Sequence, residues 1–104
     1  MREIKFREWQ HQEKLMYYID LHNEALLSTN KHDVLMQWTG LKDKNGVEIY
    51  EGDIVKNNDG GIGVVIFDYG KYMIAMKIKA SGYCYLTTHV EVIGNIYENK
   101  EKIK

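Results

Sequence analysis

Residues 52–67 indicate the fold most directly, and they run Gly52-Asp53-Ile54-Val55-Lys56-Asn57-Asn58-Asp59-Gly60-Gly61-Ile62-Gly63-Val64-Val65-Ile66-Phe67. Two apolar runs, at 54–55 and 63–67, flank a segment of asparagine and glycine that is typical of a tight turn. Glycine tolerates backbone angles that other residues avoid, so it suits sharp corners between strands that cross steeply. The stretch therefore predicts two antiparallel strands at the start of a small barrel.

Further strands are predicted on both sides of this stretch. Residues 34–39 and 72–79 show the period of two that a strand requires. Asn45-Gly46 is the strongest turn signal in the chain, because both residue types tolerate a positive φ. Five or six short strands between residues 48 and 96 are about the number that a small SH3-like barrel needs.

The remaining segments predict additions to this barrel and no second domain. Residues 2–19 alternate in a way that predicts an N-terminal β-hairpin. Residues 20–33 fit either a short helical segment or a loop, and their pattern does not separate the two. Residues 98–104 form a charged tail that we expect to fray. We therefore predict one mainly β domain over residues 1–104, with the SH3-like barrel at 48–96.

Composition and charge indicate which kinds of partner and which cellular compartment to expect. The chain has 104 residues, with 14 basic and 15 acidic residues and a net charge of −1. Proteins that neutralise phosphates usually carry a basic excess, so the overall charge does not favour nucleic acid as a partner. No apolar run reaches the length of about 20 residues that a membrane helix needs, and we find no signal segment at the N-terminus. The single Cys84 fits a reducing compartment, so the cytoplasm is the expected location.

Residues that could perform catalysis or hold a cofactor do not form a recognisable pattern. The four histidines are far apart in the sequence, and none has a ligand at metal-binding spacing. The segment 60–63 is rich in glycine, but it precedes a strand and lacks the Lys-Ser/Thr pair of a nucleotide loop. We therefore expect no enzymatic activity, no catalytic residues, no metal and no cofactor.

Two acidic turns around Glu51 and Asp53 leave an alternative open. The two carboxylates could approach each other and bind a cation. Aspartate beside glycine in a turn more often accepts backbone N–H bonds and fixes the loop, and this is the interpretation we favour for Asp53.

Aromatic residues supply the most informative binding signal. Tyrosine and tryptophan are enriched at interfaces, because they offer a large area at low entropic cost and keep a polar tip. Too many aromatic side chains are present for all of them to lie in so small a core. The candidate partner surface consists of Tyr69, Tyr72, Tyr83, Tyr85 and Trp38. For any one of them we favour a simpler role, in which the ring caps the core and the polar tip stays in water, but we expect at least one to belong to a partner surface.

Three lysines lie near these tyrosines and favour a second interpretation. Lys71, Lys77 and Lys79 fall on the outward face of one predicted strand. Basic side chains interleaved with aromatic rings are typical of proteins that stack single-stranded nucleic acid. Lysines on an exposed strand also keep a protein soluble and protect a sheet edge from aggregation, and this simpler role is the interpretation we favour.

Three blocks of sequence resemble one family. They are Arg2-Glu3-Ile4-Lys5-Phe6-Arg7 with Trp9, Leu35-Met36-Gln37-Trp38-Thr39-Gly40-Leu41-Lys42-Asp43-Lys44-Asn45-Gly46-Val47-Glu48-Ile49-Tyr50-Glu51-Gly52-Asp53-Ile54-Val55, and Val92-Ile93-Gly94-Asn95-Ile96-Tyr97-Glu98-Asn99. In this order they resemble the YopX proteins of phages and prophages of Gram-positive bacteria. Residues 57–89 contain no block of this kind.

The resemblance implies a phage-encoded accessory protein with an SH3-like barrel, made in the cytoplasm of a bacterial host. It implies no activity and no catalytic residues. The leading hypothesis is a non-enzymatic binding module that engages a host or phage protein through its aromatic residues. The alternatives are a weak nucleic-acid-binding barrel and a homo-oligomer whose aromatic surface is its own interface.

Overall fold

The computed structural model describes residues 3–19 and 32–104, and these ranges contain nine strands and one short 3-10 helix. The strands are β1 Phe6–Gln10, β2 Leu15–Ile19, β3 Val34–Lys42, β4 Glu48–Tyr50, β5 Asp53–Lys56, β6 Ile62–Asp68, β7 Lys71–Ile78, β8 Tyr83–Tyr85 and β9 Glu91–Asn95. The 3-10 helix covers Lys100–Ile103. In the described residues, no helix has the length and apolar character needed to cross a membrane. The helix-or-loop prediction for residues 20–33 lies mostly outside the described residues.

The larger sheet has five strands in the order β8-β7-β6-β5-β9, and every pairing within it is antiparallel. Strands β5 to β8 form a meander, and β9 returns to lie beside β5. The sheet curls into a half-barrel with the strand order of a small SH3-like fold. The prediction of a mainly β chain with such a barrel is confirmed.

The core of the half-barrel is a cluster of aliphatic side chains from four strands and from the segment before β9. Its buried members are Ile49, Val55, Val65, Ile74 and Val90. Leu41, Met76, Leu86 and Val92 pack around them. Burying an aliphatic side chain of this size contributes about 1.5–3 kcal/mol, so this cluster is the main source of stability for the sheet.

The smaller sheet has four strands in the order β2-β1-β3-β4. Strands β1 and β2 form the N-terminal hairpin, and β3 pairs with the other side of β1. The predicted barrel range began at residue 48, but β4 pairs with β3, with Trp38 opposite Tyr50. By hydrogen bonding β4 belongs to the smaller sheet, whereas its central Ile49 is fully buried in the core of the larger one. Strand β4 therefore joins the two sheets.

The Asn45-Gly46 turn differs from the predicted one. Only Gly46 has a positive φ, because the Asp43 carboxylate accepts hydrogen bonds from the Asn45 and Val47 N–H groups and holds the turn in another form. The turn with two positive φ angles is at Tyr69-Gly70, with φ of 52° and 76°.

The C-terminal segment is ordered against β9, which differs from the expected frayed tail. The Asn95 side chain accepts hydrogen bonds from the Tyr97 and Glu98 N–H groups. Asn99 Oδ1 accepts from the Asn95 N–H at 3.1 Å. Lys102 Nζ donates to the backbone C=O of Ile93. The expectation of a frayed tail rested on its charged residues. The bonds that order the segment come mainly from the neutral side chains of Asn95 and Asn99.

Candidate functional site

The candidate surface is built by the register of β6, β7 and β8. Ile66 lies opposite Met73, and Met73 lies opposite Tyr85, so these three side chains form one row across the sheet. A second row consists of Val64, Ala75 and Tyr83. Side chains alternate between the two faces of a strand, and Val65 and Ile74 point into the core. Both rows therefore lie on the opposite face, which we call the outer face.

Exposure of the outer face increases along each row from β6 to β8. Val64 is buried, whereas Tyr83 is 65% exposed and Tyr85 is 69% exposed. Lys71 begins β7, and its Nζ lies 4.9 Å from the centroid of the Tyr85 ring. Such a cation–π contact holds the ring in place without covering it. The outer face thus presents two tyrosines beside an ammonium group at the open side of the sheet.

Tyr69 lies in the turn that joins β6 to β7. Its side chain is 88% exposed, and its backbone has a positive φ of 52°. Tyrosine in this conformation costs about 1–2 kcal/mol, and asparagine or glycine would fit more easily. Asp68 Oδ1 accepts a hydrogen bond from the Tyr69 N–H, which steadies the turn but involves only the backbone of Tyr69. Neither burial nor conformation explains a tyrosine at this position.

Tyr72 and Trp38 do not join Tyr83 and Tyr85 on the outer face. Tyr72 is half-buried on the face that points to the core, with its ring 4.9 Å from that of Phe67. Trp38 lies in the smaller sheet, where its Nε1–H donates to the Leu41 C=O at 3.0 Å. Lys5 Nζ lies 4.8 Å from the centroid of the Trp38 ring. The five predicted aromatic residues are therefore divided among different surfaces.

The three predicted lysines are exposed but do not form one cluster. Lys71 begins β7, and Lys79 follows the end of the same strand. A strand rises about 3.3 Å per residue, so the two ends are more than about 20 Å apart. Lys79 lies against Gly60 in the turn between β5 and β6. Only Lys71 contacts one of the outer-face tyrosines.

A buried ion pair occupies the junction between the two sheets. Arg7 Nη2 donates to Asp53 Oδ1 at 2.7 Å and to the Glu51 backbone C=O at 3.0 Å. Asp53 Oδ2 accepts from the Tyr50 N–H at 2.8 Å. The guanidinium lies 4.7 Å from the centroid of the Tyr50 ring. Asp53 thus fixes its turn as predicted, and the cation beside it is Arg7, which no local sequence pattern indicates.

The other carboxylate of these turns has a different partner. Glu51 Oε1 accepts a hydrogen bond from the Gln37 N–H at 2.9 Å, so it bonds to β3 and not to a shared cation with Asp53. Burial raises the pKa of the Asp53 carboxyl above its usual range, while Arg7 and the Tyr50 N–H oppose the rise. The Arg7–Asp53 contact at 2.7 Å links the smaller sheet to the larger one.

Asp43 makes a second link through backbone groups alone. Its carboxylate accepts hydrogen bonds from the N–H groups of Asn45, Val47 and Val92. Burial by itself would raise the pKa of the Asp43 carboxyl, but these three donors outweigh it and lower the pKa below the ordinary value. Asp43 therefore ties the turn between β3 and β4 to β9.

A cavity of about 480 Å³ lies between the first hairpin turn and the C-terminal segment. It is lined by Trp9, His11, Lys14, His32, Tyr97, Glu98 and Lys100. The Trp9 and Tyr97 rings stack with centroids 5.9 Å apart, and those of His11 and His32 are 5.4 Å apart. Sequence reasoning missed this grouping, because its members come from three distant segments. In residues 3–19 and 32–104, no three His, Cys, Asp or Glu side chains are grouped so that they could hold a metal ion.

A family model described as YopX protein matches residues 21–104. The chain belongs to the YopX family. This confirms the resemblance to the YopX family, and the second and third sequence blocks lie within the matched residues. The match to the YopX model includes Asp53 and the whole half-barrel, and it begins after Arg7 and Trp9. No curated protein matches the sequence.

The YopX-family chain is also similar to a solved structure, the crystal structure of protein EF1440 from Enterococcus faecalis. The two share 26% sequence identity, the match covers 100% of each chain, and the TM-score is 0.69. Because the match covers both chains completely, both sheets have a counterpart in that protein.

Proposed function

We propose that this YopX-family protein is a phage- or prophage-encoded accessory protein of the bacterial cytoplasm, with a binding role and no enzymatic one. Its partner is a host or phage protein, and its binding surface is the outer face of β7 and β8 together with Tyr69. Tyr83, Tyr85 and Lys71 form the centre of this surface.

One observation carries the proposal: tyrosines that do not contribute to the core lie exposed at one side of the sheet. Removing apolar area from water contributes about 25 cal/mol per Å², so a partner that covers these rings gains affinity without changing the fold. Exposed aromatic rings beside a basic side chain are typical of the energetic centre of protein interfaces. The strained backbone of the exposed Tyr69 supports the same role.

The proposal is tested by affinity capture from infected or lysogenic cells, followed by mass spectrometry. The bait is the full chain, compared with a Tyr83→Ser/Tyr85→Ser variant. We expect the variant to lose a captured protein that the natural chain retains. The melting temperature should change by no more than a few degrees, because both side chains are exposed.

A matched control places the same kind of change on the other sheet. Leu15 is an exposed apolar residue of β2. Leu15→Ser therefore removes apolar surface from the smaller sheet, whereas β8 belongs to the larger one. This variant should capture the same protein as the natural chain. Equal loss in both variants, or no loss in the tyrosine variant, would refute the outer face as the binding surface.

Nucleic-acid binding is the second candidate, and the contact between Lys71 and Tyr85 favours it. An ammonium beside an exposed ring is one unit of a stacking platform for single strands. Binding of this kind through Lys71, Lys77 and Lys79 would weaken steeply as salt is raised. Fluorescence anisotropy with a labelled oligonucleotide at low and high salt tests it, and a flat response rules it out.

A further inference from the structure

Strand β8 forms the edge of the larger sheet, and within residues 3–19 and 32–104 its outward backbone groups have no hydrogen-bond partner. The Met76 N–H donates to the Gly82 C=O at 2.9 Å. Hydrogen-bonded pairs alternate along an antiparallel ladder, so the next bonded pair is Ile74 with Cys84. The N–H and C=O groups of Tyr83 and Tyr85 therefore point away from β7. Among the described residues, no strand lies on that side of β8.

Strand β9 forms the opposite edge of the same sheet, and other segments of the chain bond to its backbone groups. The edge formed by β8 differs from it in this respect. At β9 the Asp43 carboxylate accepts from the Val92 N–H, and the Lys44 N–H donates to the Val90 C=O. The C-terminal segment 99–102 bonds to two further backbone groups of β9, the Asn95 N–H and the Ile93 C=O. The chain thus protects one edge with its own groups and leaves the other open.

The open edge also lacks the side chains that usually protect an edge. Natural edge strands carry lysine, other charges or proline, which discourage pairing with a second chain. Residues 80–88 run Ala-Ser-Gly-Tyr-Cys-Tyr-Leu-Thr-Thr and contain no charged residue and no proline. Charged residues make up 28% of the whole chain, so this neutral stretch is unusual for it. A neutral edge is matched in charge by a second copy of itself.

We propose that two copies of this chain associate edge to edge through β8, antiparallel, with Cys84 facing Cys84 of the second copy across a two-fold axis. In this register Tyr83 faces Tyr85 of the second copy, and each such pair exchanges both of its outward N–H and C=O groups. Every outward N–H and C=O group of Tyr83 and Tyr85 then has a hydrogen-bond partner. The two sheets become one continuous sheet of ten strands.

The side chains fit the same arrangement. Tyr83 and Tyr85 of each copy lie on the outer face, so the axis brings the tyrosines of both copies side by side as cross-strand pairs. The contact uses the edge of β8 and not its face, so it goes beyond the proposed function and does not depend on it. The interface is small, so we expect a weak dimer whose amount rises with concentration.

Cys84 provides a direct test of the register. In the proposed dimer the two cysteines form a non-hydrogen-bonded pair, whose Cα atoms lie about 4.5 Å apart, within the range that a disulfide spans. Treatment of the concentrated full chain with a mild oxidant at slightly alkaline pH should therefore give a covalent dimer. The control is Cys84→Ser/Thr87→Cys, whose exposed thiol lies several residues from the axis. We expect at least tenfold less covalent dimer from the control.

Analytical ultracentrifugation over a concentration series tests the association itself. Tyr85→Pro removes one outward N–H and no bond to β7, and proline is tolerated on an edge strand. We expect it to raise the dimer dissociation constant at least tenfold relative to Tyr85→Ala, which keeps the N–H.

Each outcome decides the matter. A concentration-dependent dimer that crosslinks through Cys84 and is weakened by Tyr85→Pro supports the pairing. A monomer at all concentrations, a dimer indifferent to Tyr85→Pro, or equal crosslinking in the Thr87→Cys control overturns it. The crosslinking comparison stands even where Tyr85→Pro fails to fold. No partner protein is used, so the result is independent of the affinity capture described above.

Discussion

Arg7 and Asp53 show how much of this protein depends on single side chains. They lie in different sheets, and both are buried. Taking two charges out of water costs several kcal/mol per ion, and their attraction repays this cost only while both partners are present. The Nε of Arg7 has no hydrogen-bond partner among the described residues, so the pair lacks the full set of bonds that would offset its burial.

Arg7→Met should lower the free energy of unfolding by about 3–5 kcal/mol, because it leaves the Asp53 carboxylate buried without a cation. Adding Asp53→Asn should recover part of this loss, since the carboxylate charge is then removed as well. Urea denaturation of the two single variants and the double variant measures the coupling. Lys5→Met, which removes a surface ion pair with Glu48, is the control and should have a much smaller effect. Additive effects of Arg7→Met and Asp53→Asn would contradict the assignment.

Asp43 makes the stability depend on pH. Its pKa is lowered in the folded state, so its contribution is fully present above the ordinary aspartate pKa and is lost as pH falls through the folded value. Asp43→Asn should therefore be less stable than the natural chain at neutral pH, with the difference shrinking below about pH 4. Urea denaturation at several pH values measures this difference. The control for net charge is Asp68→Asn, which removes an exposed carboxylate. If the stability difference between the natural chain and Asp43→Asn stayed constant with pH, it would count against the role of Asp43.

At the scale of elements, the pairing of β6 with β7 depends on one close approach of their backbones. The register shifts between Ile62 and Gly63, which is a β-bulge. A Cβ at position 63 would lie 2.5 Å from Ile74 Cγ2 and 2.7 Å from the Ala75 carbonyl oxygen. The bulge brings the strands together where only glycine fits. It lies beside the rows that end in Tyr83 and Tyr85, so it helps to position the candidate surface.

Gly63→Ala should destabilise the fold by about 2–3 kcal/mol, because the added methyl group must displace backbone in a packed sheet. Gly70→Ala is the matched control, since its added methyl group would have nothing within 4 Å. Its cost should be limited to the strain of its positive φ, about 1 kcal/mol. Thermal and urea unfolding compare the two variants, and equal costs would show that the close approach at Gly63 does not limit the packing.

At the scale of the whole molecule, the two sheets share one core. Ile49 and Leu41 come from the smaller sheet and pack in the core of the larger one. The Arg7–Asp53 pair and the Asp43 bonds to β9 cross the same junction. Neither sheet keeps its apolar side chains covered when the other is removed, so the two should behave as one cooperative unit.

We therefore expect both sheets to unfold in a single transition. Trp9 stacks on Tyr97 of the C-terminal segment, so the experiment uses a Trp9→Phe variant, in which Trp38 is the remaining tryptophan. Trp38 lies in the smaller sheet, and its fluorescence reports on that sheet. Amide signals of β6 and β7, followed by NMR through the same urea series, report on the larger sheet. The two midpoints should coincide, and Arg7→Met should shift them together. A fluorescence transition that precedes the loss of the amide signals would show two separate units.

Local patterns in the sequence were sufficient for the mainly β class and most turns, because alternation and glycine placement act over a few neighbouring residues. They were insufficient where the contact is distant in the chain. Arg7 pairs with Asp53 across 46 residues of sequence, and neither residue type indicates which residue it will pair with. Asn45-Gly46 adopted a different turn because the Asp43 side chain supplied bonds that the dipeptide signal does not include.

By itself, the sequence determined that residues 72–79 would form a strand whose alternate side chains lie on opposite faces, because strand periodicity assigns each side chain to a face. Only the tertiary structure decided which tyrosines share a surface. Trp38 was placed in the smaller sheet and Tyr72 on the core side, while register aligned Tyr83 and Tyr85 beside Lys71. The physical reason is that a face is a property of one strand, whereas a surface depends on which strands are neighbours. Strand order, fixed by burial of the common core, supplies that information.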